Sequence, residues 1–153
     1  MPSIASLLNS IISDFPALNF APGDNFYWSP DNNTVYYAQD SKDTASLLHE
    51  LAHGILDHTG YSRDIQLIEM ERDAWDYAVT LLGPRYGAII EDSTVQGGLD
   101  SYRDWLHARS SCPACNATGF QTKKYQYNCP VCSHRWKVND ARLCGLKRYS
   151  IKN

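Results

Sequence analysis

Thr44-Ala45-Ser46-Leu47-Leu48-His49-Glu50-Leu51-Ala52-His53 is the stretch that decides how this chain is read. Asp43 or Thr44 is a good N-cap, because either side chain can accept a hydrogen bond from an unpaired first-turn N–H. The apolar residues that follow recur at helical spacing, so we expect a helix here, with Gly60 marking its end. Residues four apart on a helix stack one turn above each other. His49 and His53 thus present two imidazoles on one face, suited to chelating one metal ion, and Glu50 lies beside them, within reach of a metal-bound water.

Working outward, the next periodic segment predicts a helix over Asp64–Leu82, stopped by Gly83-Pro84. Placed on a helical wheel at about 100° per residue, Glu71 falls in the middle of the apolar stripe, among Met70, Ala74, Leu67 and Ala78. An ionised carboxylate there is costly unless it is paired or binds a metal. Glu71 is therefore the expected third ligand; the alternative is an ion pair with Arg103 or Arg109. His58 stands about 140° around the helix from His53, away from the metal face, and reads as a C-terminal helix residue favoured by the dipole.

Upstream, Ile4, Leu7, Leu8, Ile11, Ile12 and Phe15 recur at helical spacing and predict an amphipathic helix from Ser3 to Asp14. Asn25–Trp28 and Thr34–Ala38 are β-prone runs around the turn-forming Ser29-Pro30-Asp31-Asn32-Asn33, which predicts a hairpin. The strand Thr34–Ala38 is a candidate for pairing with an extended substrate. Downstream, Gly97-Gly98 is expected to break the chain before a short helix over Leu99–Ala108.

The end of the chain has a different character. All five cysteines fall there, with Cys112-Pro-Ala-Cys115 and Cys129-Pro-Val-Cys132 forming two CxxC pairs. Each pair turns two thiolates toward one tetrahedral ion, so the spacing predicts a structural zinc ribbon. Cys144 is left over and is expected to be a small buried residue. His134 would act as a ligand only in place of a cysteine. From Ser110 onward eight Lys and Arg face a single acid, Asp140, whereas residues 1–109 hold six basic residues against sixteen acidic ones. We therefore expect two domains: an α+β body over 1–109 with a small β-hairpin or sheet, and a ribbon with a basic tail over 110–153.

Clustered cysteines, the lack of a basic-then-apolar leader in Met1–Phe15, and the absence of an 18-residue apolar run point to a cytoplasmic protein with no membrane span. Lys123, Lys124, Arg135 and Lys137 are interleaved with Tyr125, Tyr127 and Trp136. That mix suits nucleic acid, but equally suits a mini-core with solvating lysines, or docking on the acidic body.

The motif His49-Glu-Leu-Ala-His53, followed by Glu71-Arg-Asp-Ala-Trp-Asp-Tyr-Ala78 and Leu81-Leu82-Gly-Pro84, resembles the ImmA/IrrE-type metallopeptidases, gluzincin-like enzymes that combine HExxH with a glutamate-bearing helix. The resemblance spans about residues 25–84 and leaves the ribbon outside it. It implies a zincin-like body, a zinc ion on His49, His53 and Glu71, and an endopeptidase acting on a protein or peptide substrate through a zinc-bound water activated by Glu50. Two zinc ions per chain are then expected, one catalytic and one on Cys112, Cys115, Cys129 and Cys132. Tyr61, Tyr102 and His107 are candidate oxyanion donors. The competing expectation is a nucleic-acid-binding or adaptor protein whose HExxH helix is vestigial.

Overall fold

The computed structural model describes residues 2–142 and 144–152 and shows an α+β chain. Contacts divide it into two compact units: residues 1–60 with 70–96, and residues 61–69 with 97–153. Sequence composition alone set the division at 109/110. The helical segment from Gly97 groups with the cysteine-bearing tail because its Trp105 and Arg109 are bound to that tail, as described below.

In the first unit, α1 (Ile4–Asp14) is capped by Ser3, whose hydroxyl accepts from the Ser6 N–H. Its Ile4, Leu7, Leu8 and Ile11 are buried in a core with Val35, Leu47, Leu48, Leu51, Ala74, Ala78 and Leu82. A three-stranded sheet has the order β1 (Asn19–Gly23), β3 (Thr34–Ala38), β2 (Tyr27–Ser29). β2 and β3 form the expected antiparallel hairpin, while β1 runs parallel to β3. β1 was not legible because Ala21-Pro22-Gly23 reads as a breaker; at a sheet edge, Pro22 costs no ladder hydrogen bond. This topology overturns one expectation. β3 is the central strand, its two edges taken by β1 and β2, so it has no free edge to offer an extended peptide.

α2 (Thr44–Ile55) starts at Asp43, whose carboxylate accepts from the Ser46 N–H. It ends well before Gly60, because Asp57 takes a positive φ of 54° that no helix continues through. α3 (Asp64–Tyr77) runs into a π turn at Ala78–Leu82 and then α4 (Gly83–Tyr86). Gly83-Pro84 therefore does not stop the helix. Pro84 sits in the first turn of α4, where its missing N–H is no loss, and Gly87 at φ 66° ends it. The π turn inserts extra residues per turn, which rotates the apolar face: Leu82 is 2% exposed and Leu81 54%.

α5 (Asp92–Ser110) passes through Gly97-Gly98 without a break. Two glycines weaken a helix by about 2 kcal/mol. Burial of Leu99, Trp105 and Arg109 on the same helix offsets that cost.

The second unit holds an antiparallel sheet in sequential order, β4 (Phe120–Lys123), β5 (Gln126–Asn128), β6 (Arg135–Val138) and β7 (Arg148–Ser150). Tyr127, Trp136 and Val138 are its buried row, together with Cys112 and Cys129. Its ionic centre is the fully buried pair Arg109–Asp64, with Nε to Oδ2 at 2.9 Å. Tyr127 donates to the same carboxylate oxygen at 2.6 Å. Arg109 also donates to the Asn139 and Asp140 carbonyls, and its own carbonyl accepts from Trp136 Nε1. Trp105 Nε1 donates to the Asp140 carbonyl. Among the described residues no helix is long and apolar enough to cross a membrane.

Candidate metal centres

The first cluster is built by α2 and α3. α2 aims His49 and His53 inward, where they are 6% and 7% exposed, and α3 brings Glu71, 5% exposed, to meet them. His49 Nε2 lies 2.9 Å from Glu71 Oε2, His53 Nε2 lies 3.2 Å from Glu71 Oε1, and the two Nε2 atoms are 3.1 Å apart. Two imidazole nitrogens and the two oxygens of one carboxylate converge here. In tetrahedral zinc with bonds of about 2.0–2.1 Å, neighbouring ligand atoms stand about 3.3 Å apart, close to what is found here. Hydrogen bonds alone do not explain so tight a triangle, since neutral imidazoles each offer one donor and one acceptor and the carboxylate only accepts. The group fits a cation.

Burial works to raise the Glu71 carboxyl, but hydrogen bonds from His49 and His53 outweigh it and hold the group well below the usual carboxylate range. Burial keeps His49 below the ordinary imidazole value, whereas at His53 burial is outweighed by the hydrogen bond and charge of Glu71, which hold it above that value. The arginines that might have paired with Glu71 are engaged elsewhere: Arg109 with Asp64, and Arg103 with Asp100.

Glu50 lies at the rim of this triangle. Its Oε1 is 4.0 Å from His49 Nε2, and its Oε2 accepts from the Trp28 backbone N–H at 2.9 Å. Burial pushes its carboxyl up to about 7. Trp28 is the residue that sequence reasoning missed. Its indole N–H also donates to the His58 carbonyl at 2.8 Å, so one residue of β2 fastens both Glu50 and the segment that follows α2. Gly54 permits that approach, since a Cβ there would stand 3.2 Å from the Trp28 ring. The only signal in the sequence was an aromatic residue in the first strand of the hairpin that precedes the HExxH helix.

His58 stands outside the triangle and, contrary to its expected place in the last turn of the helix, lies beyond the end of α2 at Ile55. Its Nδ1 lies 2.8 Å from His53 Nδ1. Trp75 stacks on His49 at 4.0 Å. The candidate oxyanion donors Tyr61, Tyr102 and His107 all belong to the second unit. There Lys124 lies 5.8 Å from the Tyr61 ring and Arg142 lies 3.7 Å over Tyr102.

The second cluster brings together all four cysteines of the CxxC pairs. Cys112 Sγ is 3.6 Å from Cys132 Sγ, and Cys115 Sγ is 3.5 Å from Cys129 Sγ. Disulfides need about 2.05 Å, whereas thiolates on tetrahedral zinc at about 2.3 Å stand about 3.8 Å apart. Backbone N–H groups of Ala114 and Cys132 point at the sulfurs of Cys112 and Cys129. The Cys132 N–H draws the Cys129 thiol down to about 7. Cys112 is likewise held below the ordinary thiol value, whereas Cys115 and Cys132 are held above it, and the convergence of the four sulfurs is consistent with a zinc ribbon.

Cys144 corrects an expectation: it is exposed, not buried, and takes only a weak contact from Asn139. His134 stays outside the cluster, against Ser150 Oγ.

No protein-family model, curated protein or solved structure matches the chain. The four-cysteine group and the His49-Glu50-His53 group could each hold a metal ion.

Proposed function

We propose that the chain is a zinc-dependent endopeptidase with a zincin-like body, akin to the ImmA/IrrE-type enzymes its motif resembles, and that it carries one catalytic and one structural zinc. The observation that supports this most is the convergence of His49, His53 and Glu71, with Glu50 beside them and held by the Trp28 N–H. A purely structural site would close its fourth position with another ligand, whereas a catalytic one keeps it open.

His49, His53 and Glu71 would hold the metal. When bound, zinc supplies Lewis acidity toward a peptide carbonyl and toward water. Glu50 takes the proton of the water that attacks the carbonyl carbon and returns it to the amine nitrogen as the C–N bond breaks. The Trp28 N–H holds the Glu50 carboxylate in place between turnovers. An extended substrate would lie along β2, the edge strand that carries this N–H, in place of the central β3. In the second unit, Cys112, Cys115, Cys129 and Cys132 would hold the structural ion.

The experiment is metal analysis joined to activity. Wild-type protein should contain two zinc ions, lose peptide hydrolysis on chelation and regain it with zinc. Hydrolysis that survives complete removal of metal would refute the proposal.

A further inference from the structure

The four-cysteine module carries a sheet face that peptide hydrolysis does not use. Directly paired residues of antiparallel strands project to the same face. Tyr127, Trp136 and Ser150 form one row, and Tyr127 and Trp136 are 2% and 0% exposed, so this row faces inward. The opposite face therefore carries Lys123, Gln126, Lys137 and Tyr149 in one row across all four strands. Phe120, Asn128 and Arg135 make the next row. Three cations lie on this face and no acid. Phe120 and Tyr149 are 52% and 54% exposed, one on each edge strand and in neighbouring rows, roughly 16 Å apart from three strand spacings and a two-residue offset.

We propose that this face binds single-stranded nucleic acid. Charge selects the polymer. Lys123 on β4 and Lys137 on β6 share one row, and Arg135 stands two residues along β6 from Lys137, so a polyphosphate backbone on this face gains from neutralisation and counterion release. The rings select the form. An exposed ring can stack on a base only if that base is not already stacked in a duplex, and a four-stranded sheet bearing aromatic residues suits two or three splayed bases. Gln126 and Asn128, between the cations, offer hydrogen bonds to base edges or sugars. An acidic peptide would satisfy the lysines and leave both rings without a stacking partner. DNA and RNA share the required chemistry, so both are probed.

The test uses the full chain purified with its metal. Fluorescence anisotropy is followed with a short oligothymidylate, a short oligouridylate and a duplex of equal length, over a range of salt. At least one single strand should bind about tenfold more tightly than the duplex. Lys123→Gln and Lys137→Gln should each lower the slope of log affinity against log salt by about 0.7. Tyr149→Ala should cost about fivefold or more and leave that slope unchanged. Lys42→Gln, in the first unit, should change nothing. All these side chains are at the surface, and unchanged zinc content checks that each variant is folded. Absence of saturable binding to either single strand would overturn the proposal, as would equal binding of the duplex. Tyr149→Ala behaving as wild type, or polyglutamate competing as well as the oligonucleotides, would reduce the face to a polycation and also overturn it.

Discussion

The Nδ1 atoms of His53 and His58 stand 2.8 Å apart, so at least one of them carries a proton directed at the other. If His53 is to offer Nε2 to a metal, its Nδ1 must be the donor and His58 the acceptor. His58 then fixes both the tautomer and the ring orientation of the ligand, the part that a carboxylate or carbonyl plays behind many metal-binding histidines.

Removing that partner should weaken metal binding without removing a ligand. We expect His58→Ala to lower zinc affinity at the first site about 10- to 100-fold, measured by chelator competition. His58→Asn, which retains an acceptor, should recover part of the loss. Unchanged affinity in His58→Ala would show that the contact is incidental.

Glu71→Ala should reduce zinc content from two ions to one, because two imidazoles alone make a weak site. The variant also removes a buried carboxylate whose partners are both histidines. Elemental analysis that still finds two ions would show that Glu71 is not a ligand.

How much of this was legible beforehand follows from particular residues. Glu71 could be placed because a charge in an apolar stripe is costly, and that argument depends only on helical periodicity. The CxxC pairs were legible because thiolate chemistry is local. Trp28 and β1 were not, since both act through contacts distant in sequence: Trp28 reaches Glu50 across 22 residues, and β1 exists only as a partner of β3. The path of α5 through Gly97-Gly98 was hidden for the same reason, because burial of Trp105 and Arg109 overrides weak local propensity. The same holds for Asp64 at the start of α3, whose burial to 1% exposure depends on Arg109, 45 residues further along the chain.

Loss of one thiolate should be felt throughout the β4–β7 sheet. Metal ligation supplies much of the folding energy of so small a module. Cys129→Ser should collapse the amide dispersion of the residues from Cys112 to Val138, and α1 and the β1–β3 sheet should keep their shifts. A native spectrum for that segment would contradict the assignment of a structural ion.

The Arg109–Asp64–Tyr127 knot should govern the stability of the second unit. Asp64→Asn leaves a buried guanidinium without its counter-charge and should cost about 3–5 kcal/mol in chemical denaturation. Burial first, and the Asp64 carboxylate second, push the Tyr127 phenol above its ordinary value. A group raised on folding holds its proton more tightly in the native state. Its contribution is therefore complete below the unfolded value of about 10 and is lost as pH rises through the native one. Tyr127→Phe should cost about 1.5–3 kcal/mol at neutral pH and flatten the decline in stability above pH 10. An unchanged alkaline decline would show that Tyr127 does not report this linkage.

The most direct measurement of the proposed activity replaces one atom group. Glu50→Gln keeps the size of the side chain and its acceptor for the Trp28 N–H, but it removes the base. Wild type and variant, matched in zinc content, are incubated with a denatured cellular proteome, and the new N-termini are sequenced by mass spectrometry. We expect wild type to generate a set of cleavages that the variant produces at least about 100-fold more slowly. Identical patterns from the two proteins, with the wild type fully loaded with zinc, would contradict the endopeptidase reading.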